Sequence, residues 1–208
     1  MKQGAMFGLD ARIALAIFGA LSVISGAALY SAIQDSKVNT VVTEMTEVIK
    51  AWEEYMINTG KDLEVDTTNT QRRHRNMSHL VTDTGIKGWA GPYLSYEIHD
   101  SKPRRLKHNI LKGPIGLISV SKKNWGAGHS NTAWSWPGVV CNNSTIPCYT
   151  ATMFIDNTSD KRFYKMASLI DEKIDSGNGS YTGKFRWYSS SGNTLILIGP
   201  AYKSPPTY

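Results

Sequence analysis

The chain has 208 residues, enough for one domain of ordinary size and one further segment. Hydrophobic residues make up 41% of it and charged residues 19%, which excludes a chain disordered by composition. The net charge of +6 is too mild to indicate a nucleic-acid-binding protein by itself, and two cysteines are too few for a Cys-rich zinc site.

The N-terminal part of the chain combines a short basic start with a long apolar stretch. Lys2 precedes Leu9, Asp10 and Arg12, and residues 13–33 contain no charged residue. As a helix, this stretch would extend roughly 31 Å at about 1.5 Å per residue, enough to cross a hydrocarbon core of roughly 30 Å. It also contains small residues that let helices approach closely, namely Gly19, Ser22, Ser25, Gly26 and Ser31.

An amphipathic pattern continues directly from the apolar stretch. Apolar residues recur at steps of three and four while charged residues occupy the other faces, which predicts a helix with one buried side. No Pro or Gly interrupts residues 27–59, and Gly60 supplies a stop signal. The pattern predicts one helix whose first half suits lipid or a filament core and whose second half packs on a globular domain. The apolar positions of the second half are Val38, Val41, Val42, Met45, Ile49, Trp52 and Met56.

Three interpretations of this N-terminus are open. A secretory signal peptide would end at a small-residue cleavage site, for which residues 27–32 are a candidate. An uncleaved signal anchor would usually be followed by a linker, whereas here the helical pattern continues. The third interpretation, a leader cleaved before the apolar stretch, is favoured because it accounts for the unbroken extension.

This arrangement resembles the type IV pilin family, including the pseudopilins of type II secretion. The resemblance implies that a peptidase cuts after Gly8, with Gly4 as a weaker candidate, and that Leu9 becomes a methylated N-terminal residue. Members of the family usually carry Glu at the fifth mature position, where this chain has Ile13. The candidate docking residues between subunits are therefore the nearest charged ones, Asp10 and Arg12.

Further resemblances lie in the second half of the chain. Residues 163–174 place apolar side chains at helical spacing and are followed by Asp175, Gly177 and Thr182-Gly183. This order resembles the Ile-Asp-x-x-Leu-Asp-Asp-Gly stretch that precedes Thr-Gly and a late strand in many pilins. Residues 88–94 indicate a turn leading into a short strand, and they resemble the Gly-Pro-Tyr-Leu stretch that often follows the long pilin helix.

Short segments rich in β-branched and aromatic residues predict strands. A turn signal at residues 189–193 predicts that the last two strands form a hairpin. The predicted fold class is α+β, with the long helix packed on an antiparallel sheet of about four strands. The candidate strands are residues 115–120, 151–155, 184–188 and 194–198. The predicted organisation is a leader at 1–8, a transmembrane or filament-core half-helix at 9–33, an amphipathic half-helix at 34–60 and a globular pilin-like domain at 61–208.

Two small loops carry candidate chemistry. Cys141 and Cys148 are close in sequence; in an exported protein they are predicted to form a disulfide, whereas in the cytosol they would stay thiols. An oxygen-rich cluster could bind calcium, although such residues also form ordinary turns. The cluster consists of Asp156, Asn157, Ser159 and Asp160.

A basic segment covers residues 72–108, where eight Lys or Arg accompany three acidic residues. Basic residues beside aromatic ones can hold single-stranded nucleic acid, but a solvated face or charge complementarity between stacked subunits is the favoured interpretation. The candidate nucleic-acid contacts are Arg72, Arg73, Arg75, Arg104 and Arg105. A separate cluster, which could bind a glycan or a partner or cover a small core, consists of Trp125, Trp134 and Trp136.

No nucleophile–base pair, metal-ligand set or cofactor motif emerges, so we expect neither enzymatic activity nor a catalytic residue. The resemblance implies a structural subunit that is inserted in a bacterial inner membrane and then located in the periplasm or in an extracellular filament. Its expected partners are copies of itself, other pilins, the prepilin peptidase, the assembly machinery and the membrane. The alternative is a membrane-tethered periplasmic or surface module that binds DNA or glycan without polymerising.

Overall fold

The computed structural model describes residues 6–65, 74–99, 104–121, 148–158, 162–180, 182–188 and 193–202. It confirms the predicted α+β fold class, with a long N-terminal helix and an antiparallel sheet. The elements are α1 (Met6–Thr59), a short 3-10 helix (Met77–Leu80), β1 (Arg105–Lys107), β2 (Pro114–Ser121), β3 (Cys148–Asp156), α2 (Phe163–Asp175), β4 (Phe185–Tyr188) and β5 (Asn193–Tyr202).

Two compact units divide the chain, Met1–Thr40 and Val41–Tyr208. The first unit contains the apolar part of α1, and every described residue of it up to Thr40 is helical. The second unit contains the last turns of α1, the sheet and α2.

The sheet has five strands in the order β1-β2-β3-β5-β4, and every neighbouring pair is antiparallel. Four of these strands lie where the sequence predicts them, and β4 pairs with β5 in register Phe185↔Leu197. The fifth strand, β1, has only three residues, too few to show a strand pattern in the sequence.

A turn forms at the start of residues 88–94, but the strand predicted to follow it does not form there, and Ile98 makes only an isolated antiparallel bridge to Leu106. Residues 88–94 are turns and irregular backbone, and the backbone N–H groups of Tyr93 and Leu94 both donate to the carbonyl of Leu80. Because the two N–H groups share one carbonyl next to the 3-10 helix, they do not extend a strand ladder, and this prediction is wrong.

Within the second unit, the last turns of α1 pack on the sheet. Of the predicted apolar positions in this unit, four are buried and two, Val42 and Met56, are only half-buried. Thr152 Oγ1 on β3 donates to the backbone carbonyl of Met45 at 3.0 Å, and a Cβ added at Gly199 would lie 3.0 Å from Ile49 Cδ1. A side chain at Gly199 would therefore require Ile49 to shift by a few tenths of an ångström. The buried residues on this face of α1 include Val41, Met45, Val48, Trp52 and Tyr55.

The loop between α2 and β4 is held by the two aspartates of the late motif. Asp171 Oδ2 accepts a hydrogen bond from Gly179 N at 2.9 Å, and Asp175 Oδ2 accepts one from Phe185 N at 2.6 Å. Gly183 has a φ of +81°, and a Cβ added there would overlap with Asp175 Oδ2. Only glycine fits this position, because it alone combines a left-handed backbone with no side chain.

Candidate functional site: helix α1 and its anchorage

The apolar part of α1 is exposed along residues 8–33. Large apolar side chains on different faces are exposed to a similar extent, with Leu15 73%, Phe18 71% and Val23 73% exposed. By length and composition, this helix can span a membrane. A helix that is apolar on all sides is stable only when lipid or other protein surrounds it.

The residues predicted for processing and docking all lie in the first described turns of α1. Leu9, Asp10 and Arg12 are exposed, and a Cβ added at Gly8 would meet no atom within 4 Å. The surface around the Gly8–Leu9 bond is therefore open. Cleavage after Gly8 and docking through Asp10 and Arg12 stay predictions.

A buried ion pair anchors the second half of α1. Arg75 donates from Nε to Asp62 Oδ1 at 3.0 Å and from Nη2 to Asp62 Oδ2 at 2.9 Å, and the two side chains are 1% and 8% exposed. Asp62 Oδ1 also accepts from Trp52 Nε1 at 2.7 Å, so the pair connects directly to α1. Burial lowers the pKa of Arg75, but Tyr202 and Asp62 together raise it by more, so the guanidinium stays charged.

Two aromatic rings complete the surroundings of the guanidinium. The rings of Trp52 and Tyr202 lie 5.0 Å and 4.9 Å from the Arg75 guanidinium carbon, within cation–π range. Tyr202 Oη accepts from Arg75 and donates to Ser119 Oγ at 2.7 Å, and Arg75 N donates to the Leu117 carbonyl at 2.9 Å. One arginine thus joins α1, β2 and β5.

This position corrects the prediction that Arg75 contacts nucleic acid. The side chain is fully buried and all its described polar contacts are internal, so it has no surface to offer a phosphate or a base. Arg104 and Arg105 are half-buried at the start of β1, and their predicted role stays untested. Arg72 and Arg73 lie outside the described residues.

A second buried polar contact joins α1 to the turn between β1 and β2. His108 is 1% exposed, and its Nδ1 accepts the backbone N–H groups of Ile110 and Leu111 at 3.1 Å and 2.9 Å. Because Nδ1 must be unprotonated to accept them, the ring proton is on Nε2, which donates to Glu44 Oε2 at 2.6 Å.

Tyr96 binds the same carboxylate. Its ring stacks on His108 with centroids 6.5 Å apart, and its hydroxyl is hydrogen-bonded to Glu44. Burial raises the pKa of Tyr96, and the charges of Glu44 and Glu47 raise it further, so the phenol remains a neutral donor. Glu44 on α1 therefore receives two hydrogen bonds from the rest of the second unit.

The remaining candidate sites lie partly outside the described residues. Asp156 Oδ1 accepts from Thr158 N at 2.8 Å and from Thr158 Oγ1 at 2.6 Å, which is ordinary turn chemistry. Among the described residues, no group of three or more His, Cys, Asp or Glu could hold a metal ion. Calcium binding and the disulfide of Cys148, which begins β3, stay predictions. The other residues predicted for the disulfide, the calcium cluster and the tryptophan cluster lie outside the described residues, namely Cys141, Ser159, Asp160, Trp125, Trp134 and Trp136.

We expect Asp62→Ala to lower the free energy of unfolding by about 3–5 kcal/mol, because it leaves the Arg75 charge buried without its carboxylate. The measurement is denaturant unfolding of the full chain in detergent, followed by circular dichroism. The control is Glu97→Ala, which removes an exposed ion pair to Lys107 with an N–O distance of 3.4 Å. This control should change stability by less than about 1 kcal/mol. Equal losses in the two variants would contradict the proposed role of the buried pair.

Substitutions of His108 separate the roles of its two ring nitrogens. Asn places an oxygen near the position of Nδ1 and can still accept from Ile110 and Leu111, whereas Gln reaches toward Glu44 and leaves those N–H groups unsatisfied. A buried unsatisfied group costs about 1–3 kcal/mol, so we expect His108→Asn to unfold at higher denaturant concentration than His108→Gln. The opposite order would show that the bond to Glu44, and not the turn, dominates.

No protein-family model, curated protein or solved structure matches this sequence. The geometry therefore bears on function through α1, which is exposed and apolar in one part and packed on an antiparallel sheet in another. A long apolar N-terminal helix of this kind is compatible with pilin-like proteins and does not establish membership of that family.

Proposed function

We propose that the protein is a structural subunit of a filament of the type IV pilus or type II secretion pseudopilus kind, held in a bacterial inner membrane before assembly. The observation that carries the proposal is the division of α1. Its residues 8–33 are exposed and apolar, while its last turns are buried on the sheet, and both belong to one uninterrupted helix of 54 residues.

The exposed apolar side chains of α1 require a non-aqueous environment. Burying one large apolar side chain contributes about 1.5–3 kcal/mol relative to leaving it in water. Lipid supplies this environment before assembly, and the same helices of neighbouring copies supply it inside a filament. A membrane tether alone would need only lipid, whereas a filament also explains why the helix continues without a linker into the folded part.

Docking in such a filament would use the charged residues at the start of α1. Ile13 occupies the position where the family usually has Glu, so the carboxylate of Asp10 is our candidate partner for the N-terminal amine of a neighbouring copy. Arg12 is exposed beside it and would offer a positive charge to the same neighbour.

Processing predicts a defined mature N-terminus. We expect mass spectrometry of the protein purified from membranes to find Leu9 as the first residue, carrying a methyl group, because the Gly8–Leu9 bond is exposed. Gly8→Leu should block the cut, because a side chain would occupy the site that the peptidase recognises. The matched control, Gly4→Leu, should be processed like the unmodified chain. An intact leader, or a first residue within 27–33, would contradict the proposal and favour an anchor or a signal peptide.

Electron microscopy of sheared surface fractions and of membranes overproducing the chain tests polymerisation. We expect filaments that antibodies against the protein label and that disappear when the gene is deleted. The control is a variant with Phe18→Asp, which places a charge on the exposed apolar helix and should remove filaments without unfolding the second unit. A protein that stays monomeric in the membrane would contradict a filament and support the DNA- or glycan-binding module.

A further inference from the structure

The loop between α2 and β4 contains a chemically reactive pair, Asn178-Gly179, the single Asn-Gly pair in the sequence. Asn178 is exposed, and Gly179 has a φ of +97°. An asparagine followed by glycine is prone to cyclise, because glycine has no side chain to hinder attack by its backbone nitrogen on the preceding side-chain amide.

The reaction is an intramolecular acyl transfer followed by hydrolysis. The Gly179 nitrogen forms a bond to Asn178 Cγ, the Cγ–Nδ2 bond breaks, and Nδ2 leaves as ammonia with the proton from the Gly179 nitrogen. Water then opens the cyclic imide at either carbonyl and yields aspartate or isoaspartate. The only co-reactant is water, so no oxidant or cofactor is required.

Hydrogen bonds of the loop oppose the first step. The backbone N–H of Gly179, whose nitrogen attacks, donates to Asp171 Oδ2 at 2.9 Å. The backbone carbonyl of Asn178 accepts from Thr182 Oγ1 at 2.8 Å. Both bonds must break before the Gly179 nitrogen can turn toward Asn178 Cγ. Asp171 is 2% exposed, and its Oδ1 has no hydrogen-bond partner among the described residues. Breaking the hydrogen bond from Gly179 to Oδ2 would therefore leave this buried carboxylate poorly satisfied.

We infer that Asn178 is a latent modification site, kept as an amide by the Gly179–Asp171 hydrogen bond and converted to aspartate or isoaspartate when this loop opens. The closed loop protects Asn178, and the extent of conversion depends on how often the loop opens. The rate of conversion at Asn178 is therefore set by local opening of the α2–β4 connection.

Conversion of Asn178 would also make the loop between α2 and β4 less stable in its closed form. A Cβ added at Gly183 would overlap with both Asp175 Oδ2 and Asn178 Nδ2, so these two groups are neighbours. Replacing the amide by a carboxylate places a second negative charge beside Asp175, and isoaspartate adds one atom to the backbone. Both products disfavour closure, so opening becomes harder to reverse.

The test measures conversion at Asn178 by peptide mass spectrometry after incubating the full chain in detergent in mildly alkaline buffer. We expect native protein to convert about ten- to hundredfold more slowly than the same protein in concentrated urea, since the N–H is bound to a carboxylate. Thr182→Val removes an exposed hydroxyl and should raise the native rate several-fold, while circular dichroism checks that the variant is folded. Asp171→Ala should raise it further, and Asn178→Gln should abolish conversion.

Two results would overturn the inference. One is a native rate equal to the rate in urea, which would mean that the loop gives no protection. The other is a folded Thr182→Val variant that converts no faster than the unmodified chain, which would mean that closure of the loop does not limit the reaction. Because Thr182 is exposed, this second result remains measurable even where Asp171→Ala fails to fold.

Discussion

The buried pair of Arg75 and Asp62 is the ion pair on which the packing of α1, β2 and β5 converges. A charge removed from water is tolerated only when a partner and further hydrogen bonds surround it. Here Arg75 contacts the Asp62 carboxylate, the rings of Trp52 and Tyr202 and the Tyr202 hydroxyl, while Asp62 also accepts the indole N–H of Trp52. Because the surrounding groups belong to α1, the segment after it and β5, only one register of these elements satisfies the charge.

The anchorage of α1 explains how one helix serves two environments. Asp62 and Glu44 hold its last turns through polar bonds to Arg75, His108 and Tyr96, beside apolar side chains that are buried. Residues 8–33 are exposed, with large apolar side chains on different faces of the helix. The polar contacts that hold the last turns of α1 all lie within the second unit. A subunit that moves from membrane to filament, as we propose, would require a folded part held by contacts of its own.

The sequence is sufficient to predict α1, α2 and four strands. The second part of α1 and α2 each show one apolar face, residues 13–33 are predominantly apolar and uncharged, and the strands are rich in β-branched and aromatic residues. These patterns could not predict β1, which is too short for a pattern, or the backbone around Tyr93, which follows the 3-10 helix. The excess of Lys and Arg over residues 72–108 places Arg75 in a basic segment, whereas its burial depends on a carboxylate thirteen residues away. A signal was present, since Arg75 stands just before the apolar Met77 and Leu80, but the identity of its partner is a tertiary property. The role of His108 likewise depends on a turn that no local pattern specifies.

The late motif has a physical reason of its own. Asp171 and Asp175 accept hydrogen bonds from backbone N–H groups that would otherwise be unpaired beside α2. At position 183 only glycine fits against Asp175. Any chain that turns from a helix into an edge strand in this way would favour aspartates and glycines at such spacings. The resemblance of this stretch to pilins therefore bears on the fold, and the same turn contains Asn178 and Gly179. The proposal of a filament subunit depends instead on α1, whose residues 8–33 are apolar and exposed.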